Sequence, residues 1–180
     1  MTQDLYQKAM KFAGEKHSEQ KVPGTNANYL LHLSNVAMEV LVAYNQDQSF
    51  DINYAIQAAI LHDVIEDTNT TYEEVKLLFG EPVAAGVKAL TKNTNLASKA
   101  ESMADSLARI KVSPQEIGLV KLADRITNLQ TPPQHWNKDK MLRYCAEAKV
   151  IARELHNKNA YLNQRLRSKI AEYEQMIFDL

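Results

Sequence analysis

The sequence predicts an all-α fold, a bundle of amphipathic helices. Apolar residues recur at helical spacing over long stretches, and little of the chain alternates with the period of two that a half-buried strand requires. Only five glycines and five prolines interrupt the 180 residues. A chain of 180 residues is long enough for one domain with a substantial core. We therefore expect residues 1–180 to form a single domain.

Three long helices are predicted in the first third of the chain. The polar segment between the first two contains Pro23-Gly24 and predicts a loop from Glu19 to Asn28. Asp51 is placed to cap the third helix, because an aspartate side chain accepts hydrogen bonds from the free N–H groups of a first turn. The three helices are expected from about Asp4 to Lys16, from about Leu31 to Tyr44 and from Asp51 to about Glu66.

Shorter helices are predicted in the middle of the chain. The residues from Thr71 to Glu74 form a capping-box pattern, in which the threonine and the second glutamate satisfy free N–H groups. Gly80 is suited to ending this helix, and Pro82 to the first turn of the next. A polar loop from Lys92 to Lys99 and a helix from about Ala100 to Ile110 are expected to follow.

Three helices are predicted in the last third. Ser113, Pro114 and Glu116 match the N-cap, N1 and N3 preferences of a helix start, and Thr131-Pro132-Pro133 predicts that helix's end. The last two helices are expected from Asp139 to His156 and from about Ala160 to Phe178. The apolar positions of the last helix could pack on the domain or on a second subunit, so a homo-oligomer stays open.

The composition excludes several classes of protein. Hydrophobic residues make up 45% and charged residues 24% of the chain, which is typical of a soluble globular protein. A net charge of −1 gives no overall positive field that would attract nucleic acid or an anionic membrane. Cys145 is the one cysteine, so no internal disulfide can form. With no bilayer-length apolar run and no secretory signal, we expect a cytoplasmic protein with neither nucleic-acid nor membrane partners.

The run from Leu61 to Thr68 concentrates ionisable groups. It places one histidine and three carboxylates directly after an apolar segment, and residues four apart would share one face if the helix continued. Such a cluster beside a core is costly unless a positive charge lies among it, so the run predicts a divalent metal ion. The expected ligands are His62 and Asp63. Glu66 and Asp67 are the groups expected to orient or deprotonate an attacking water.

Two other segments complete a predicted set of metal ligands. His32 lies at the start of an apolar helix, and Asp124 lies in the run from Val120 to Leu129. Either residue alone would be ordinary in a helical core or rim, but together with His62 and Asp63 they supply two histidines and two aspartates. This mixed set suits manganese or iron with open positions, whereas structural zinc would more often recruit cysteines. We expect Mn²⁺, with iron or another divalent ion as the alternative.

The order of these residues resembles the HD superfamily of metal-dependent phosphohydrolases. The wider pattern, with Glu66-Asp67, Leu90-Thr91-Lys92 and the run from Lys121 to Leu129, resembles the hydrolase domain of the Rel/Spo alarmone enzymes from about residue 13 to about residue 148. The resemblance implies an HD-domain helical bundle. Because 180 residues leave no room for the synthetase domain of the long members, a stand-alone small alarmone hydrolase similar to the animal Spo homologue is expected.

The resemblance also implies an activity and a nucleotide partner. Members of this branch hydrolyse guanosine tetra- or pentaphosphate, the alarmones of the stringent response, to GDP or GTP and pyrophosphate. Asn128 would approach the nucleotide sugar, with Lys121 and Thr131 on the same helical face, and Lys140 is the nearest match to a phosphate-binding arginine. The expected substrate-binding residues are Lys21, Lys121, Asn128, Thr131 and Lys140.

The stretch from Gln20 to Val22 departs from the family pattern. Many members carry an Arg-Lys or Arg-Arg-Lys sequence there that packs on the guanine, and Lys21 matches only one of these basic positions. Lysine does not supply the planar stacking surface of arginine. Two alternatives therefore stay open: a nucleotide phosphatase of other specificity, for example an NADPH 2′-phosphatase, and a module that binds a nucleotide without cleaving it.

Overall fold

The predicted all-α architecture is confirmed. A computed structural model describes residues 1–179, and within this range it contains ten helices and, apart from one isolated bridge between Lys21 and Asn28, no β-structure. The helices are α1 Thr2–Lys16, α2 Leu30–Gln46, α3 Ile52–Leu61, α4 Val64–Asp67, α5 Tyr72–Phe79, α6 Glu81–Leu90, α7 Lys99–Val112, α8 Gln115–Asn128, α9 Lys138–Glu154 and α10 Ala160–Phe178.

Helices α3 and α8 form the centre of the bundle. α3 packs against α1, α2, α6 and α8, and every residue from Ala55 to Leu61 is buried. In α8, ten of the residues from Ile117 to Thr127 are buried. Both helices therefore carry polar residues into a largely apolar interior, where those residues need specific partners.

The third predicted helix is interrupted at the two predicted metal ligands, His62 and Asp63. The expectation of one helix from Asp51 to Glu66 is wrong, because α3 ends at Leu61 and α4 begins at Val64. At the break, the Nδ1 atom of His62 lies 2.8 Å from the carbonyl oxygen of Ala59. The last carbonyl groups of a helix have no backbone N–H partner within the helix, and the imidazole supplies one here. His62 and Asp63 thus lie at a bend between two helices.

Local capping signals explain several of the observed boundaries. Asp51 accepts hydrogen bonds from the backbone of Asn53 and Tyr54, and Thr71 accepts one from Glu74, as predicted. Gly80 has a φ of 90° between α5 and α6, a conformation that favours glycine.

The predicted cap of α8 is wrong. Pro114 occupies the N-cap position, and the hydroxyl of Ser113 instead donates to the Arg109 carbonyl oxygen at 2.8 Å. The serine therefore serves the end of α7 and not the start of α8.

The last helix packs on the domain. α10 lies against α9, α8 and α2. Its apolar positions are buried at Leu162, Leu166, Ile170, Tyr173 and Ile177. Phe178, near the end, is 82% exposed. Among residues 1–179, no helix has both the length and the apolar character needed to cross a membrane.

Candidate metal centre and active site

Three segments meet at one buried cluster. His32 comes from the first turn of α2, His62 and Asp63 come from the α3–α4 bend, and Asp124 comes from α8. One ligand atom from each of His32, His62 and Asp124 lies within 4.8 Å of the others. The Nε2 atom of His32 lies 3.3 Å from Nε2 of His62 and 3.5 Å from Oδ1 of Asp124. These residues, far apart in sequence, are brought together as a candidate metal site.

Asp63 lies at the edge of this cluster. Its Oδ2 atom is 2.9 Å from Nε2 of His62 and 3.8 Å from Nε2 of His32. The hydroxyl of Tyr29 donates a hydrogen bond to the same Oδ2 at 2.5 Å. The Tyr29 contact fixes the orientation of the carboxylate toward the two imidazoles.

The hydrogen bonds around the imidazoles fix their tautomers. A carbonyl oxygen can only accept, so Nδ1 of His62 donates to Ala59 at 2.8 Å. The Thr127 hydroxyl donates to the Asp124 carbonyl at 2.9 Å, so it accepts from Nδ1 of His32 at 3.4 Å. In their neutral forms both rings therefore turn a lone pair on Nε2 toward the same point. Two facing lone pairs beside two carboxylates favour a cation between them, and an Nδ1–H bonded to a backbone carbonyl, as in His62, is typical of metal-ligating histidines.

Without a metal, the cluster binds a proton. Burial acts against the charge of His62, but the carboxylates of Asp63 and Asp124 outweigh it and raise the pKa of His62 to about 9. Burial likewise opposes ionisation of Asp63 and Asp124, yet His62 lowers the pKa of Asp63, and Lys121 and His32 lower that of Asp124. The arrangement favours positive charge at its centre, whether a proton or a metal ion supplies it.

Metal binding should release a proton. Because the pKa of His62 is raised from 6.5 to about 9, the metal-free protein holds that proton at pH 7.5, and an ion must displace it. We expect about one proton released per ion at pH 7.5, and affinity that rises with pH up to about 9. Titration calorimetry in two buffers of different ionisation enthalpy measures the release. The control His156→Gln, at an exposed histidine, should change neither the number of protons released nor the metal affinity. Release near zero at pH 7.5 would contradict this charge state.

Lys121 and Asn128 both contact Asp124, which confirms that they share its helical face. The Lys121 ammonium lies 2.8 Å from Oδ2 of Asp124, and the Asn128 amide donates to Oδ1 at 2.5 Å. Both oxygens of this carboxylate are thereby held in place. Two of the predicted substrate-binding residues thus border the metal cluster directly.

Glu66 is held by one residue from the loop after α6. The backbone N–H of Lys92 donates to Oε2 of Glu66 at 2.9 Å, and its ammonium donates to Oε1 at 2.7 Å. Burial lowers the pKa of Lys92, but the charge of Glu66 outweighs it and raises that pKa. Each carboxylate oxygen keeps a further lone pair, so Glu66 can still accept a proton from water.

Asp67 is held from the other side of the site. The Nε2 atom of Gln20 donates to its Oδ2 at 2.8 Å. Burial raises the pKa of Asp67, and the Gln20 hydrogen bond partly offsets this. Gln20 is therefore engaged with a site carboxylate, although its position in the sequence had suggested the wall of a base pocket.

The remaining predicted substrate residues are less tightly connected. Thr131 is not on the face of Asp124, because α8 ends at Asn128, three residues earlier than the sequence argument required. Lys21 is exposed and lies in the bridge to Asn28. Lys140 lies in the first turn of α9, and its ammonium lies 4.2 Å from the centroid of the Trp136 ring.

Sequence reasoning missed several neighbours of the site. Tyr29, Lys92 and Gln20 are bonded to the key carboxylates, but nothing in their local patterns indicates a partner more than 25 residues away. His17, His135 and His156 lie in none of the motifs matched in the sequence, which predicts that all three are surface residues. His135 and His156 are exposed, but His17 is wrongly predicted, since it is 1% exposed.

Comparisons with known proteins identify the family of the chain. A family profile described as "HD domain" matches residues 9–158. A guanosine-3′,5′-bis(diphosphate) 3′-pyrophosphohydrolase from Aquifex aeolicus is 40% identical over 127 residues, which are 69% of this chain but only 17% of that protein. The protein MESH1 of Danio rerio, which carries the same enzyme name, is 31% identical over 89% of both chains.

A solved structure shows the same fold. It is described as a metazoan ortholog of SpoT that hydrolyses ppGpp and plays a role in starvation responses. It superposes with a TM-score of 0.80 at 26% sequence identity and covers 93% of this chain and 94% of its own. The chain therefore belongs to the HD domain family, in the branch that contains the MESH1-type and SpoT-type proteins.

Proposed function

We propose that this protein is a metal-dependent guanosine-3′,5′-bis(diphosphate) 3′-pyrophosphohydrolase, which cleaves guanosine tetra- or pentaphosphate to GDP or GTP and pyrophosphate. One observation carries the proposal: the Nε2 atoms of His32 and His62 face each other at 3.3 Å between two carboxylates. The relatives named for this reaction cover most of the chain at 31% identity and support the choice of substrate.

His32, His62, Asp63 and Asp124 would hold the metal. Imidazole nitrogen and carboxylate oxygen suit a borderline divalent ion, and we propose Mn²⁺, with iron as the alternative. When bound, such an ion supplies Lewis-acid stabilisation of phosphoryl oxygens and lowers the pKa of water. The carboxylates that now raise the pKa of His62 would then face the ion in place of a proton.

The carboxylates of α4 would handle the water. Glu66, oriented by Lys92, would take a proton from the water as its oxygen attacks the phosphorus attached to the ribose 3′ oxygen. Asp67 would help to orient that water. The bond between phosphorus and the 3′ oxygen would break, the 3′ oxygen would take up a proton, and pyrophosphate would leave.

Five residues would contact the nucleotide. Lys121 and Asn128 border the metal cluster through Asp124, which supports a role for the ammonium and the amide in binding a phosphorylated ribose. Lys21, Thr131 and Lys140 are exposed and available to phosphates or base. Lys21, Asn128 and Lys140 are assigned from the family pattern, Lys121 also from its contact with Asp124, and Thr131 from its spacing of seven residues from Asp124 in the sequence.

Asn128→Ala should raise KM more than it lowers kcat. The amide would contribute to binding of the sugar equally in the ground state and the transition state, which is the behaviour of uniform binding. A rise in KM of about 5–10-fold, with kcat within about threefold, is expected from loss of one hydrogen bond. Steady-state kinetics on guanosine tetraphosphate measures both values, and Gln130→Ala, two residues on and exposed, is the control. An unchanged KM would rule out the sugar contact.

A substrate panel tests the proposed reaction. The metal-loaded protein would be given guanosine tetraphosphate, NADPH, GTP and ATP, and products would be separated by ion-exchange chromatography. Release of GDP and pyrophosphate from the alarmone, lost on chelation, is the expected result. Phosphate release from NADPH alone would instead favour the 2′-phosphatase alternative, and no turnover of any substrate would favour a binding module.

We further propose that residues 1–180 form one HD-type domain and that the protein works in the cytoplasm. The packing of α10 on α8 and α9 supports the first statement, since it joins the C-terminal helix to the helix that carries Asp124. Cys145, buried and unpaired, fits the reducing conditions of the second.

A further inference from the structure

A buried histidine outside the metal cluster lies at the end of α1. His17 is 1% exposed, and its backbone N–H donates to the Ala13 carbonyl at 2.8 Å. Its Nδ1 atom lies 2.5 Å from Oε1 of Gln20, whereas Nε2 is buried without a partner. Buried polar atoms are normally paired, so the contact with Gln20 is the one polar interaction this imidazole makes.

The amide of Gln20 connects this histidine to Asp67. Its Nε2 atom donates to Oδ2 of Asp67 at 2.8 Å, so the NH₂ group faces the carboxylate and the amide oxygen faces His17. Because an amide oxygen only accepts, Nδ1 of His17 must carry the hydrogen. Donation therefore runs in one direction, from His17 to Gln20 and from Gln20 to Asp67.

The same turn also supports Asp63. The backbone N–H of Tyr29 donates to the Gln20 carbonyl at 2.9 Å, and its ring centroid lies 5.0 Å from that of His17. The Tyr29 hydroxyl donates to Asp63 at 2.5 Å. The turn from His17 to Gln20 thus reaches one carboxylate directly and a second through Tyr29.

We propose that His17 and Gln20 are positioning residues for Asp67: His17 fixes the direction of the Gln20 amide, and the amide holds the Asp67 carboxylate toward the reacting centre. The proposal rests on the proposed function, because it assigns Asp67 to turnover. Asp67 is exposed and ends a four-residue helix, so without this contact its side chain would sample several rotamers.

Substitutions at Gln20 test the contact itself. Gln20→Glu keeps the length of the side chain and an acceptor for His17, but it places a second carboxylate against Asp67. We expect kcat to fall about tenfold or more while KM stays within about twofold, since only the orientation of a reacting group is lost. Ser18→Ala, in the same turn and exposed, should leave both values unchanged.

Substitutions at His17 separate its donor from its packing. Asparagine can present an N–H close to the position of Nδ1, so His17→Asn should keep kcat within about threefold of the wild type. His17→Phe keeps a ring against Tyr29 but has no donor, and its kcat should fall as far as that of Gln20→Glu. A loss in His17→Asn that equals or exceeds the loss in His17→Phe would show that the donor does not matter and would overturn the proposal.

A double-mutant cycle with Asp67→Asn provides the decisive kinetic test. If Gln20 acts through Asp67, the loss from Gln20→Glu should disappear once the carboxylate is gone. If Gln20 only supports the loop, Gln20→Glu should cost the same factor in both backgrounds, and the proposal would fail. Thermal unfolding of each variant checks that the comparison is made between folded proteins.

A measurement independent of turnover separates this proposal from the proposed function. Nitrogen-15 NMR spectra of the imidazoles would be recorded with diamagnetic Zn²⁺ in place of Mn²⁺. They should show His17 as the Nδ1–H tautomer, and Gln20→Ala should remove this preference. An Nε2–H tautomer in the wild type would mean the opposite amide direction and would overturn the proposal, even where guanosine tetraphosphate is hydrolysed. Absence of that hydrolysis together with the Nδ1–H tautomer would refute the activity and the role of Asp67 in it.

Discussion

Replacing Asp63 by alanine should abolish divalent-ion binding and turnover together. Asp63 lies 2.9 Å from His62, and its charge is a main reason that the pKa of His62 is raised to about 9. The variant would lose one ligand and much of the negative potential that attracts a cation. Removal of residues that only support metal ligands typically costs about 10–100-fold in affinity, so loss of a ligand should exceed that range.

Metal affinity and activity would be measured together for the Asp63 variants. Dissociation constants for Mn²⁺ and kcat would be determined for Asp63→Ala and for the isosteric Asp63→Asn, with Asp4→Ala as the control at an exposed carboxylate. Asp63→Asn keeps an acceptor for the Tyr29 hydroxyl and therefore guards against a local loss of structure. Wild-type metal affinity in both Asp63 variants would remove Asp63 from the ligand set.

Replacing Glu66 should remove turnover and spare binding. A positioned general base contributes about 10²–10⁴-fold to rate, so Glu66→Gln should lower kcat by about that factor with little change in metal affinity or KM. Glutamine keeps one oxygen that can accept from Lys92, but its NH₂ group cannot accept the second bond, so Glu66→Gln removes the base and only part of the loop contact. Glu66→Ala loses both and should be no more active.

Kinetics and direct binding of guanosine tetraphosphate together decide the role of Glu66. Glu73→Gln, at an exposed glutamate in the first turn of α5, is the matched control and should behave as the wild type. Full activity in Glu66→Gln would show that another group takes the proton. A loss confined to binding would instead assign Glu66 to substrate recognition through Lys92.

Local patterns predicted the helices and the run of ionisable groups from His62 to Asp67, because both are visible in short-range spacing. The period of apolar residues reflects burial of one helix face, and the caps at Asp51, Thr71 and Gly80 satisfy groups within three or four residues. His62 and Asp63 stood out because ionisable groups follow an apolar run. His32 and Asp124 were assigned to the same cluster because, with His62 and Asp63, they complete a set of two histidines and two aspartates, although either residue alone would be ordinary in a helical core or rim.

The errors arise where a side chain has a distant partner or where a helix ends. Local geometry that helix propensity does not encode sets the break at His62 and the end of α8 at Asn128. His62 and Glu66 therefore do not lie on one continuous helix, and Thr131 does not share the helical face of Asp124. The Glu66–Lys92 and Gln20–Asp67 contacts join residues that are 26 and 47 positions apart. Such pairings follow from the packing of helices and cannot be read from a single segment.

Hydrolysis of guanosine tetraphosphate in ¹⁸O-labelled water by the manganese-loaded protein tests the central claim most directly. The account predicts GDP with an unlabelled 3′ hydroxyl and pyrophosphate with one labelled oxygen, detected by ³¹P spectroscopy and mass spectrometry. It also predicts that this product disappears on chelation and returns with added metal. Label in the nucleoside, release of single phosphates, or turnover that persists after the metal is removed would contradict attack of water on the 3′ phosphorus at this metal centre.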